Sequence, residues 1–274
     1  MVNQDLNAKF ARAKEALNRA DFPGAIALLS EVVVEDSANA DAWCHLGVCY
    51  LETGRPDLAL EALTRAAKAD PRHATAHYLL GNAYGTSGEL EKAAACYRRA
   101  LEIEPHHAKA EEFLIRTESL LESREHYRNG LKLLYAAEPT PLDLNQALRE
   151  LVQSAAIFDG SPARDNLLEC ARKLFALKTE LAIPVEITPE LHNWGRACER
   201  GYQCVLFNNW VGARAAYEET LEYRVQDAFV HHALGFSFVE LGEIGDAVRA
   251  WLRVFELDPS YDFACFGRVG SAKK

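Results

Sequence analysis

Long apolar runs are missing from this 274-residue chain. No stretch of about 18 apolar residues occurs, so no membrane-spanning helix and no membrane insertion are expected. Proline and glycine are sparse, at 10 and 16 residues, which argues against fibrous and Pro/Gly-rich disordered classes. A basic excess is missing too: 30 Lys and Arg stand against 40 Asp and Glu, a net charge of -10. Nucleic-acid binding needs a concentrated Lys/Arg surface, so a polyanion partner is not expected. The seven cysteines (Cys44, Cys49, Cys96, Cys170, Cys198, Cys204 and Cys265) are odd in number and form no disulfide framework. They read as reduced thiols packed as small hydrophobes. The opening "MVNQDLNAKFARAKEAL" has no apolar signal core and reads as an amphipathic helix. A cytoplasmic protein is the expectation.

Reaction motifs are also missing. G-x-S-x-G, a Walker glycine loop and H-E-x-x-H do not occur. The glycine cluster "GNAYGTSG" at 81–88 follows a helical pattern instead of a strand, so it is not a phosphate loop. His106-His107 and His231-His232 are adjacent pairs; neighbours on a helix point about 100° apart, so neither pair chelates alone. The Cys44/Cys49 and Cys198/Cys204 spacings match no strong zinc pattern. No catalytic residue, metal site or cofactor is expected, and the chain reads as a non-enzyme.

What is present is a repeat. Residues 45–71, "HLGVCYLETGRPDLALEALTRAAKADP", superimpose on 79–105, "LLGNAYGTSGELEKAAACYRRALEIEP", after a shift of 34 positions. Such a period signals stacked units, each unable to bury its own apolar face. Trp43, Leu46, Gly47 and Tyr50 share one helical face, and Leu58, Ala59, Leu63 and Ala66 share a second. Gly54 ends the first helix, Pro56 suits the first turn of the next, and Asp70-Pro71 stops that one. Gly47 and Gly81 cost about 1 kcal/mol each against alanine. The cost is acceptable where helix backbones approach closely, with Ala59 and Ala93 as the expected facing small residues. Trp43, Tyr50, Tyr84 and Tyr97 are expected to fill the space between pairs.

These residues resemble the tetratricopeptide (TPR) repeat, whose pattern runs Trp-like, Leu-Gly, Tyr, Ala, aromatic, Ala, Pro. Residues 40–73 carry Trp43, Leu46, Gly47, Tyr50, Ala59, Leu63, Ala66 and Pro71. Residues 74–107 carry His77, Leu80, Gly81, Tyr84, Ala93, Tyr97, Ala100 and Pro105. Residues 228–261 carry His231, Leu234, Gly235, Phe238, Ala247, Trp251, Val254 and Pro259. Weaker copies stand at 6–39, with Ala16, Ala25, Leu29 and Val32, and at 194–227, with Gly201, Ala213 and Tyr217. In the last of these "NNW" replaces the turn glycine. The resemblance implies an all-α fold: an α-solenoid of helix–turn–helix repeats forming a right-handed superhelix.

The middle resists the register. From Ala108 to Ala137 the apolar set Phe113, Leu114, Leu120, Leu121, Tyr127, Leu131 and Leu134 continues at helical spacing. One long helix is expected, or two with a break near Ser123. A divergent pair follows, with Gly130 and Leu133 on its first helix and Ala147 and Leu151 on its second. "EPTPLDLNQ" reads as a lengthened loop between them, and "DGSP" at 159–162 ends the pair. A lone helix is expected from about Ala163 to Leu181, then an extended connection at 182–190. The domain organisation is thus an N-terminal TPR block at 1–107, a divergent helical region at 108–193, and a C-terminal TPR block at 194–274.

In this family the first helices of successive repeats line a concave groove. The register projects Asn7, Phe10, Lys14 and Leu17 onto it from the first copy, and Asp41, Cys44, Val48 and Leu51 from the second. The third contributes Thr75, Tyr78, Asn82 and Gly85. The last two contribute Gly195, Cys198, Tyr202 and Val205, then Phe229, His232, Phe236 and Val239. TPR proteins that clamp acidic C-termini use Lys, Asn and Arg at positions held here by Phe10, Lys14, His45, Thr75 and Leu79. Only one of those is basic, so that kind of partner is not expected. Tyr202, Phe229, His232 and Phe236 suit an apolar helix or an extended peptide. The chain itself is an equal occupant, through 182–190 with Ile183, Val185 and Ile187, or through "YDFACFGRVG". The implied function is a protein–protein scaffold or adaptor holding a peptide or helix in the groove. The alternatives are a self-assembling homo-oligomer and, more weakly, a ligand or metal sensor using Cys44, His45, Cys198 and His232.

Overall fold

A computed structural model describes residues 2–158, 162–177, 182–184, 192–263 and 268–270. Residues Val185 and Ile187, the end of the expected helix at 178–181, most of "DGSP", and 264–267 with Cys265 lie outside the described residues. The protein is all-α: thirteen helices and two three-residue strands make up the described secondary structure. It divides into two compact units, Met1–Leu121 and Glu122–Lys274.

Unit 1 consists of three helix pairs and the start of a seventh helix. The pairs are α1 (Val2–Asn18) with α2 (Phe22–Glu35), α3 (Ala40–Glu52) with α4 (Pro56–Ala69), and α5 (Ala74–Thr86) with α6 (Leu90–Ile103). Each partner packs on the next in sequence, as a one-dimensional stack requires. The helix starts are written in side chains. Asn39 Oδ1 accepts from the Ala42 N–H at 2.9 Å, and His73 Nδ1 from the Ala76 N–H at 3.1 Å. Pro56 occupies the first turn of α4, where its missing N–H is not needed. The turn inside each pair needs one residue with positive φ. Gly54 and Gly88 supply it at +68° and +78°. In the first pair Ala20 takes the same role at +58°.

The space left by Gly47 and Gly81 is taken by large side chains instead of by Ala59 and Ala93. A Cβ on either glycine would lie 2.5 Å from the nearest atom of Leu63 or Tyr97, each sixteen residues on. Gly201 with Tyr217 and Gly235 with Trp251 repeat that spacing in unit 2. The glycine therefore opens a socket for one residue of the partner helix. Leu63, Tyr97, Tyr217 and Trp251 are all but fully buried in those sockets.

The helix α7 (Ala108–Leu134) is continuous through Ser123. Its part within unit 2 packs on α8 (Pro141–Ile157). Ser123 Oγ donates to the Ser154 carbonyl at 3.0 Å, and Ser154 Oγ to the Ser123 carbonyl at 2.8 Å. Gly130 faces Leu151 and the carbonyl of Ala147, as the divergent pair predicts. The expected long loop is shorter than the sequence suggested: "PLDLNQ" opens α8. Thr140 and Asp143 form a capping box there, and Pro141 sits just inside it. α9 (Ala163–Leu177) is not a lone helix, for it packs on α8. The remaining pairs are α10 (His192–Leu206) with α11 (Trp210–Tyr223), and α12 (Ala228–Glu240) with α13 (Ile244–Leu257). In the "NNW" turn Asn208 adopts φ +55°, and Gly242 repeats the role at +79°. Strands β1 (Ala182–Pro184) and β2 (Arg268–Gly270) pair in parallel. One apolar core joins α8, α9 and the last two pairs.

Candidate functional site

The projected groove residues have different fates in the two units. In unit 1 most stay accessible. Phe10, Val48, Tyr78 and Asn82 are half-buried and Lys14 is exposed. Phe10 and His45 bridge α1 and α3, with ring centroids 5.6 Å apart. Lys14 Nζ lies 4.4 Å above the Phe10 ring, a cation–π contact. Burial lowers the pKa of His45, with Lys14 adding to the effect against Asp41. The His73 ring bonds Asp41 Oδ1 at 3.0 Å through Nε2 while Nδ1 caps α5, which ties α3 to the next pair. Since Nδ1 accepts, the proton sits on Nε2.

Tyr78 is the centre of a second group. Its ring is 5.0 Å from His107, 5.9 Å from Phe113 and 6.1 Å from Tyr97. Tyr97 donates its hydroxyl to Asn82 Oδ1 at 2.8 Å, which fixes the orientation of that amide. His107 and Phe113 were not among the projected residues. Phe113 stands 34 positions after Leu79 and extends the clamp column by one copy, whereas His107 stands 34 after His73, outside every projected position, and repeats its capping of the next helix. Cys44 is the exception in unit 1: it is 4% exposed, and burial, with Asp41 adding, pushes its thiol up to about 12. It packs with Ala66 and Ala76 as a core residue and lines no groove.

In unit 2 the projected face is covered. Phe229, His232 and Phe236 are 8%, 3% and 2% exposed, and Tyr202 is half-buried against the core. α8 packs on α13 and α9 packs on α12. A closed pocket there brings Leu148, Ala171, Leu174 and Phe263 against His232, Phe236 and Trp251. The chain's own residues thus fill this face, through Phe263 of the "YDF" segment together with α8 and α9. Buried Cys198 is held well up, to about 12, by desolvation. Among the described residues no group of three or more His, Cys, Asp or Glu is placed to hold a metal, and no helix is long and apolar enough to cross a membrane.

No curated protein matches the chain. Among solved structures, the Sgt2 TPR domain from Aspergillus fumigatus is 20% identical, with 50% of this chain and 85% of that one covered at a TM-score of 0.43. The second TPR domain of human RPAP3, determined in complex with an HSP70 peptide, is 21% identical over 42% and 97% at a TM-score of 0.41. The TPR domain of P58(IPK) is 14% identical over 95% and 86%, at 0.43. The tetratricopeptide repeat family model matches residues 10–62 and 50–108. Within those residues lie the sockets of Gly47 and Gly81 and the positive-φ turns at Gly54 and Gly88. Over residues 10–108 the chain carries tetratricopeptide repeats.

Proposed function

We propose that the chain is a non-enzymatic interaction module, and that the α1, α3 and α5 face of unit 1 holds a peptide or helix from another protein. The observation that supports this is the accessibility of that face. Phe10, Val48 and Tyr78 present part-exposed apolar surface flanked by Lys14, His45 and Asn82, where the matching positions on α12 are buried. Aromatic side chains held by neighbours are effective anchors, because little rotamer freedom remains to be lost. The Phe10–His45 contact and the Tyr78–Phe113–His107 group hold their rings in this way. Of the clamp positions Phe10, Lys14, His45, Thr75 and Leu79 only Lys14 is a lysine or arginine, so the partner segment is apolar or mixed and not an acidic C-terminus.

The test is affinity capture from native extract with the wild-type chain and a Phe10→Ala/Tyr78→Ala variant, both checked by circular dichroism. Anchors of this kind contribute about 2 kcal/mol, so partners should be retained roughly 30-fold less well by the folded variant. An unchanged partner set would remove the site from this face.

A further inference from the structure

The segment that follows α13 is held as a docked peptide is held. Tyr261 to Phe263 is non-helical, and side chains of α8 bind its backbone. Arg149 donates to the Tyr261 carbonyl at 3.0 Å. The Asn145 amide works at both ends, its Oδ1 accepting from the Phe263 N–H at 2.6 Å and its Nδ2 donating to Asp262 Oδ1 at 2.5 Å. Phe263 then enters the pocket under α12 and is 1% exposed. Its ring meets His232 edge-on at 5.1 Å, Phe255 at 5.4 Å and Tyr261 at 5.2 Å. The space remaining there is about 10 Å³, less than a second side chain needs, so the pocket is matched to one phenyl ring. The Arg149 guanidinium lies 4.7 Å from the Phe255 ring and 5.4 Å from the Phe263 ring. Further on, β2 joins β1 by strand addition.

We propose that unit 2 carries a second peptide-recognition site, built by Asn145, Arg149 and the α8–α9–α12 pocket. Its ligand is a non-helical protein segment with two aromatic residues flanking an acidic one, and the chain's own Tyr261-Asp262-Phe263 is the resident copy. Each element of the site reads one feature of that triplet. Arg149 takes the main chain at Tyr261 and Asn145 takes it two residues on at Phe263, which fixes the backbone between them. The Asn145 amide reads the acidic side chain, and the pocket reads the second aromatic. A partner segment with the same triplet replaces the resident one, so the site alternates between a closed state and a partner-bound state. It is independent of the unit 1 face, and the two readings fail separately.

The test uses a labelled peptide of Asp258–Phe263, "DPSYDF", and fluorescence anisotropy on the full-length chain. Phe263→Ala vacates the pocket and should bind the peptide at least 10-fold tighter than wild type does. A peptide ending in Ala in place of Phe should lose at least 10-fold, and so should Asn145→Ala added to the Phe263→Ala chain. Phe10→Ala/Tyr78→Ala should leave this binding unchanged. Should Phe263→Ala not fold, Phe263→Leu keeps the pocket partly filled, and the peptide should displace the weaker segment with the same order of preference over wild type. A folded variant that ignores the peptide, or equal binding by variant and wild type, overturns the proposal and leaves Phe263 as a core residue only.

Discussion

Trp251 of α13 stands where a side chain on Gly235 of α12 would have to go: a Cβ there would lie 2.4 Å from the indole Nε1 and 2.6 Å from Cδ1. Two effects compete in Gly235→Ala. Helix propensity favours alanine by about 1 kcal/mol. Overpacking costs about 1–3 kcal/mol, and a rigid indole at 0% exposure has no room to yield. The clash wins, and Gly235→Ala should destabilise unit 2 by about 1 kcal/mol in urea unfolding. Gly85 is the control. Its Cβ would meet only the Tyr97 hydroxyl, at 3.7 Å, so Gly85→Ala should be neutral or stabilising by up to about 0.5 kcal/mol. A similar loss at both positions would refute the socket account.

Ala20 holds φ +58° at the position where Gly54 and Gly88 sit in the next two turns. A left-handed alanine costs about 1–2 kcal/mol, and glycine's extra freedom in the unfolded chain returns part of that. Ala20→Gly should therefore raise the stability of unit 1 by about 0.5–1 kcal/mol. Gly54→Ala should lower it by about 1 kcal/mol, although its Cβ would meet nothing within 4 Å. Asn208→Gly in unit 2 should change little, because asparagine tolerates this conformation. Thermal midpoints of the three variants check the ranking.

The repeat was legible because its signals are local. The Leu-Gly pair, the turn glycine and the terminating proline each act within one helix pair, so the 34-residue shift exposes them. What escaped depends on packing between distant segments. Thr140 and Asp143 form a capping box that reads as loop when judged by its two prolines. His232 and Phe236 carry the groove register, yet they are covered by Leu148, Ala171, Leu174 and Phe263, none of which belongs to their repeat. Register tells which way a side chain points and says nothing about what covers it.

Ser123 and Ser154 exchange hydrogen bonds with each other's carbonyls, and their hydroxyl oxygens are 3.1 Å apart. Both are buried, at 4% and 0% exposure. Each hydroxyl donates to a backbone carbonyl that an alanine at the other position keeps, so either single alanine substitution removes one buried hydrogen bond and should cost about 1 kcal/mol. The bond that remains is intact in each single variant, so the double variant should cost about the sum of the singles. A double-mutant cycle from urea unfolding should give a coupling within about 0.5 kcal/mol of zero. A larger coupling would mean that the contact between the two hydroxyl oxygens is itself a bond.

His232 sets a pH dependence in unit 2. Burial pushes its imidazole down to about 3, against an opposing pull from Asp262. The same ring in an unfolded chain titrates near 6.5. Between those two values the unfolded chain takes up a proton that the folded chain refuses, so acid favours unfolding. The stability is complete above about pH 6.5 and falls by about 1.4 kcal/mol for each pH unit below it. From pH 7 to pH 5 the loss from this residue should be about 2 kcal/mol. His232→Leu keeps an apolar side chain against Phe263 and removes the titration, so its loss over the same interval should be smaller by that amount. Urea unfolding followed by tryptophan fluorescence in a Trp43→Phe background, which leaves Trp194, Trp210 and Trp251, reads this unit. Equal acid sensitivity in both proteins would show that His232 takes up its proton without leaving the fold.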